Sequence, residues 1–534
     1  MLRPLSVMFG YLPCPAALAA RILPKGRWIT KKHCLIFIAQ FKVLMRQFRP
    51  DYFNRYSSQE RFFILAESQS PRFVTGSTLR HVLVMTATSS IGLIAVFMVD
   101  VLNLLYISKL GHKELAAAIG YSGTLMFFLT SVAIGLTIAT TAQVSRALGR
   151  GDTQQASQLG GAGLLLIAVS TAILSLIMLA FVTPLTKMLG ATGETLDIAV
   201  RFMYIVVPSM PLIAIGMSAA GLLRAKGDAK RSMYVTLIAG ATTAVLDPLF
   251  IFVFKLGIDG AAIVTVISRF VLCGVGLYGA IVIHKLATIP TRAMLTEAAK
   301  PYFAIGLPAV MTQLATPIGN AFLTAAIAPY GDDAVAGWAI IGRITPVAFG
   351  VIFSLSGAVG PILGQNLGAR KFDRIQQTMR DSFMVVVVYV LAVWLLLALL
   401  HNQISDIFGA TGTTRDFIAF YCIFVAGSFL FNGMLFVANA AFNNLGFPLY
   451  STVSNWSRAT LGVMPFVWLG AKWYGLNGAL AGSGIGSAVF GIAAVIVCFR
   501  VLKTIEKRTP PEVSLAPTMA GNSPFSTGKA STLG

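Results

Sequence analysis

The sequence predicts an all-α integral membrane protein whose twelve transmembrane helices form two pseudo-symmetric six-helix lobes. Long uncharged stretches, an internal repeat and an alternation of basic loops carry this prediction. Only 11% of the 534 residues are charged and 56% are hydrophobic, whereas a soluble chain has about 25% charged residues. Residues 383–400 read FMVVVVYVLAVWLLLALL, and 344–369 and 417–457 contain no Asp, Glu, Lys or Arg. About 20 apolar residues cross a bilayer. In lipid the backbone must satisfy its own hydrogen bonds, which selects helices. The spans fall near 80–108, 115–146, 156–182, 196–222, 231–254, 258–284, 299–328, 334–366, 380–404, 416–442, 449–472 and 476–502.

Five landmarks recur in order about 219 residues apart. Gly149 in ALGRGD returns as Gly368 in NLGARKFD, and the Gly-Ala-Thr-Gly at 190–193 returns at 409–412. Gly227 pairs with Gly446, Gly111 with Gly331 and Gly260 with Gly478, at offsets of 219, 220 and 218. Spans 1–6 therefore pair with spans 7–12. Six spans is an even number, so both halves enter from one side and their pseudo-axis lies along the membrane normal. Repeats of this kind are typical of transporters.

The net charge of +21 does not indicate nucleic-acid binding, because between the spans the basic residues are concentrated in alternate loops. Arg146 and Arg150, then Arg224, Lys226, Lys230 and Arg231, then Lys285, Arg292 and Lys300, then Arg370, Lys371, Arg374 and Arg380 all fall at one end. Lys and Arg excess marks the cytoplasmic side. The chain is expected in the cell inner membrane, multi-pass, with both termini cytoplasmic. Residues 75–290 and 291–505 form the two lobes. Residues 1–74 are an Arg-rich extension outside the repeat, expected to be disordered or a non-native start, with a surface-lying basic helix as the alternative. Residues 506–534, rich in Pro, Ser, Thr and Gly, are expected to be disordered. Five scattered cysteines suggest neither a disulfide framework nor a zinc site.

Ionisable residues inside spans are costly and mark functional sites. Asp100 lies in span 1 and Asp247 in span 5. Burial disfavours the charged form of a carboxylate, so such groups can bind and release protons. For Asp100 the alternative is solvation near a helix end, and for Asp247, followed by Pro248, it is a helix break. Arg269, Arg343 and Arg458 are basic residues at depth. Arg458 is expected to snorkel to the interface, and Arg343 to pair with an acid or an anionic substrate. Pro208, Pro211, Pro248 and Pro308 are candidate hinges, since proline removes a helical hydrogen bond. The small-residue runs GGAG at 160–163 and GSGIG at 482–486 point to close helix packing. A P-loop, an HExxH motif, a metal-ligand cluster and a nucleophile–base pair are all missing, so neither an ATP-driven pump nor an enzyme is expected.

Several ordered segments resemble the multidrug and toxic compound extrusion (MATE) family over roughly 75–505: VDVLNLLYISKLGHKELAA, TAQVSRALGRGD, GPILGQNLGARKFDR, AAGLLRAKGDAKRSM, LDPLFIF and LGIDGAAIVTVIS. The resemblance implies two lobes around a central cleft and export of small molecules coupled to H+ or Na+, without a metal or organic cofactor. It is closest to the proton-coupled DinF-like branch. There Asp100 matches the acid of helix 1, Asp247 the acid of helix 5 and Thr265 a helix 6 hydroxyl. Thr243 stands where that branch has Asn. The NorM-like branch uses acids in helices 7 and 10, where this chain has Gln313 and Asn320, and Asn432 and Asn439. With Arg343, these are candidate substrate-cavity residues. The expected protein is a monomer in the lipid bilayer that exports organic cations or amphiphiles against protons. Export of organic anions with Arg partners, or flipping of a lipid-linked precursor, are the alternatives.

Overall fold

The computed structural model describes residues 71–108 and 113–508. Gly111, residues 1–70 of the extension and residues 509–534 of the tail lie outside the described residues, as do the expectations made for them.

Among the described residues every helix predicted to span is present. They are α1 Thr78–Ser108, α2 Lys113–Gly149, α3 Thr153–Met188, α4 Gly193–Lys226, α5 Ala229–Val253 and α6 Gly257–Ile283 in the first lobe. The second lobe has α7 Arg292–Tyr330, α8 (Asp332–Ala348 and Gly350–Gly368), α9 Phe372–Ile407, α10 Gly412–Leu445, α11 448–473 and α12 476–508. Helices α7 and α9 start seven and eight residues before the sequence estimate, and α3 and α5 start three and two residues before it, where polar N-caps sit outside the apolar run. Asp152 accepts from the Gln155 amide at 2.8 Å and Asp228 from the Arg231 amide at 3.1 Å, which satisfies otherwise orphaned amides. The span predicted at 334–366 is broken at Phe349 (φ −107°, ψ 16°). Pro346 lies three residues earlier and the Phe349 amide turns back to the Thr345 carbonyl.

The repeat is written into the backbone. Left-handed φ values at 151, 190, 193, 227 and 257 recur at 370, 409, 412, 446 and 475. The first four pairs are offset by 219 and the last by 218. Four of these five pairs are Gly–Gly, as the absence of a Cβ favours; in the other, Gly151 faces Arg370. A 3-10 turn at Val207–Ser209 in α4 likewise recurs at Ala426–Ser428 in α10.

The GSGIG run packs as expected. Gly486 of α12 lies against the backbone of Gly462 in α11. The GGAG run behaves differently. Gly160 and Gly161 of α3 meet the backbone of Leu286 and Thr288 in the loop after α6, while Gly160 also touches Leu222 of α4 and Gly163 meets Thr140 of α2.

Residue-level contacts between the lobes run from mid-membrane to the basic end. Gly135 of α2 meets Val310 of α7, Gly350 of α8 meets Ile94 of α1, and Gly149 and Gly364 join α2 to α8 through Gln365 and Ser145. Toward the other end, Gly120 and Gly123 of α2 and Gly342 of α8 face open space.

Candidate functional site

Helix α5 carries its carboxylate at a change of helix type. Pro248 cannot donate a backbone hydrogen bond, and from Leu249 to Val253 the helix widens to a π-turn in which Phe254 bonds to Leu249. Such π-bulges are frequent at functional sites. Asp247 precedes this point. It is 1% exposed, and neither carboxylate oxygen has a hydrogen-bond partner among the described residues.

Helix α1 runs alongside α5. Gly92 lies against Met233 and Thr236, and Val99 against Gly240, so the two helices are parallel and the backbone of Asp100 is level with residue 241. Asp247 is six residues further on, about 9 Å along the axis. The Asp100 side chain lies outside the described residues. Thr243 sits between the two levels, but its hydroxyl donates to the Ala239 carbonyl at 3.3 Å. Thr265 of α6 donates to Ala261 at 2.9 Å. Both hydroxyls thus bond within their own helices rather than to the acid. Ser268 of α6, which sequence reasoning missed, joins the Ala239 carbonyl at 2.9 Å and ties α6 to α5.

Arg269 has a structural explanation that its sequence position did not suggest. Pro211 leaves the Val207 carbonyl without its usual partner, so the Met210 amide bonds there and the Val206 carbonyl is freed. Arg269 is buried, and its Nη1 donates to Val206 O and Ser209 Oγ, both at 2.9 Å. Its charge is held by the broken turn of α4, between Pro208 and Pro211. In the second lobe the corresponding 3-10 turn packs at Gly427 against Trp394 of α9, whose indole donates to the Ile423 carbonyl of α10 at 2.9 Å. Pro308, in contrast, lies in uninterrupted α-helix.

Arg343 is exposed in α8 and makes no ion pair or hydrogen bond among the described residues. Arg458 lies ten residues into α11 and is half-buried, with its Nε unpartnered among the described residues. It therefore does not sit at a helix end, where snorkelling was expected. Asn432 and Asn439 lie seven apart on α10, each with a buried, unpartnered Oδ1 among the described residues. Gln313 is half-buried and Asn320 exposed on α7. Beside Asn432, an aromatic wall is built where α8 breaks. Phe349 stacks on Phe429 at 4.2 Å, and Phe353 lies 5.4 Å from Phe436.

The basic end is closed by residues that sequence reasoning assigned to the extension. Phe73 is 1% exposed, its amide donates to Gln365 Oε1 at 2.9 Å, and Gln365 Nε2 donates to the Ala225 carbonyl at 2.6 Å. Arg72 donates to the Gly227 carbonyl in the first lobe, while Arg374 of the second lobe donates to the carbonyls of Phe73, Thr75 and Gly76. Thr78 donates to Asp381, which also accepts from Gln377 at 2.8 Å. Arg146 of α2 donates to the Asn443 and Asn444 carbonyls of α10. The segment 71–77 belongs to the folded unit, contrary to a boundary at 74. The only sequence signal was an aromatic–basic pair placed directly before the first span.

The MatE family model matches residues 88–249 and 308–469, once per lobe at an offset of 220. The chain is 27% identical over 437 residues to a FAD transporter of Shewanella oneidensis, covering 80% of this chain and 96% of that one. It is 24% identical over 424 residues to the multidrug export protein MepA of Staphylococcus aureus, covering 77% and 91%. Its structure superposes on the Vibrio cholerae MATE transporter VcmN in the bent form with a TM-score of 0.75 at 25% identity, covering 81% and 99%. The uncharged spans, the doubled lobe and the doubled family match agree: this chain belongs to the MATE family and is a multi-pass secondary efflux transporter of small molecules, not an enzyme.

Proposed function

We propose that the chain exports organic, cationic or amphiphilic compounds across the inner membrane in exchange for protons, by alternating access, as a member of the DinF-like branch. The carrying observation is Asp247, a buried carboxylate without a hydrogen-bond partner among the described residues. An unpaired buried charge is costly, and either a proton or a substrate cation removes that cost. The two then compete for one group, which is the essence of antiport. Asp100 on the adjacent α1 is the second member of the proton site, with Thr243 and Thr265 flanking it. The Lys and Arg excess in alternate loops supports a cytoplasmic side for the closed end and both termini. The cleft then faces outward, where a proton arriving at Asp247 displaces the substrate. Pro248 with its π-turn, and the break between Pro208 and Pro211, are where α5 and α4 would bend.

An organic-anion substrate is the second reading. Arg343 is exposed and unpaired among the described residues, and one relative is named a FAD transporter. Uptake into inverted vesicles separates the two. A cationic dye should accumulate under a pH gradient and FAD should not. FAD uptake lost on Arg343→Gln, with no dye uptake, would favour the anion reading. Efflux driven by Na+ and surviving Asp247→Asn would move coupling to the amide oxygens of Gln313, Asn320, Asn432 and Asn439.

A further inference from the structure

At the basic end, α2, α3 and α7 line a half-open cavity of about 310 Å³. Helix α2 contributes Gln143 and Arg146, the turn after it Arg150, α3 contributes Gln155 and Gln158, and α7 contributes Glu297. Arg146 spends its Nε and Nη2 on the carbonyls of Asn444 and Asn443, which leaves Nη1 for another acceptor. Arg150 holds Gln155 at 2.6 Å. Gln143 Nε2 is a buried donor without a hydrogen-bond partner among the described residues. Two guanidinium groups and an unused amide donor suit a phosphate diester, the anion Arg binds best through paired hydrogen bonds. Glu297, from the second lobe, adds one carboxylate, which suits a primary ammonium. Leu159 and Pro301 give the cavity an apolar side.

We propose that this cavity binds the phosphoethanolamine headgroup of a membrane phospholipid, with phosphate toward Arg146, Arg150 and Gln143 and the ammonium toward Glu297. The site lies where α2 ends and α3 and α7 begin, at headgroup depth, and basic pockets between cytoplasmic helix ends recognise lipid headgroups. The cytoplasmic depth rests on the orientation proposed above. Because its walls come from both lobes, the headgroup binds only while this end is closed, and it favours that state.

Native mass spectrometry of the full chain in detergent tests this without any transport assay, so failure of the site and failure of proton coupling are told apart. The probes are phosphatidylethanolamine, phosphatidylglycerol, phosphatidylcholine and soluble phosphoethanolamine. Wild type should retain phosphatidylethanolamine in preference to the other two lipids. Arg150 and Glu297 are both exposed, so substitution should leave the fold intact. Arg150→Gln should reduce retention of phosphatidylethanolamine and phosphatidylglycerol alike. Glu297→Gln should abolish the preference between them, which a general loss of folding would not do. Equal retention of all lipids, or unchanged preference in both variants, overturns the site. Displacement of the lipid by soluble phosphoethanolamine at equal concentration overturns the lipid as its source.

Discussion

Asp228 shows how one side chain serves two elements at the basic end. It caps α5 through the Arg231 amide, accepts from the Arg231 guanidinium, and lies 2.7 Å from His284 at the end of α6. Burial pushes its carboxyl up, but the hydrogen bonds from His284 and Arg231 overcome that and hold it well below the usual carboxylate range. A depressed folded value means the stabilisation is complete above the ordinary carboxylate range and is lost only as pH falls below it. Asp228→Ala should therefore cost about 1–2 kcal/mol at neutral pH. The difference in melting temperature from wild type should shrink below about pH 4; a gap that stays constant through that range would refute the linkage. Asp247 was legible in the sequence because an acid in an apolar run is conspicuous. The role of Arg269 was not, because it depends on a carbonyl freed in another helix by Pro211.

At the scale of elements, the helices were legible and their breaks were not. The break of α8 at Phe349 and the π-turn after Pro248 arise from local hydrogen-bond geometry that apolar periodicity does not encode. Close packing is testable between α11 and α12. A methyl at Gly486 would enter the Gly462 backbone, whereas one at Gly484 would meet the Ser428 side chain at 3.2 Å. Gly486→Ala should lower stability by about 1–3 kcal/mol and Gly484→Ala by clearly less, read as thermal melting in detergent. Equal melting of the two variants would show that α12 does not approach α11 this closely. The segment 71–77 offers a second test. A chain starting at Ser70 should transport like the full chain. One starting at Ser77 loses Phe73 and the carbonyls that Arg374 and Lys371 hold, and should open more readily at the basic end, seen as faster labelling of a cysteine placed at Gln365. Identical labelling of both truncations would remove any closing role from the segment.

The whole molecule is a doubled lobe whose halves share backbone geometry but differ in chemistry. Left-handed positions recur at one offset, and this symmetry was readable because glycines mark such positions in sequence. The contacts that close the basic end were not readable. They join residues from distant parts of the chain, such as Phe73 with Gln365 and Arg146 with Asn444, and nothing local to either partner announces them. The asymmetry of the acids decides the proposed mechanism: Asp100 and Asp247 both lie in the first lobe, while α7 and α10 carry amides at the compared positions. The most direct measurement reconstitutes wild type and Asp247→Asn in proteoliposomes and follows substrate and proton fluxes together under a pH gradient in sodium-free buffer. Wild type should move a cationic substrate with a counterflow of protons, and Asp247→Asn should move neither while melting at or above the wild-type temperature. Wild-type flux of both species through Asp247→Asn would contradict a proton site in the first lobe.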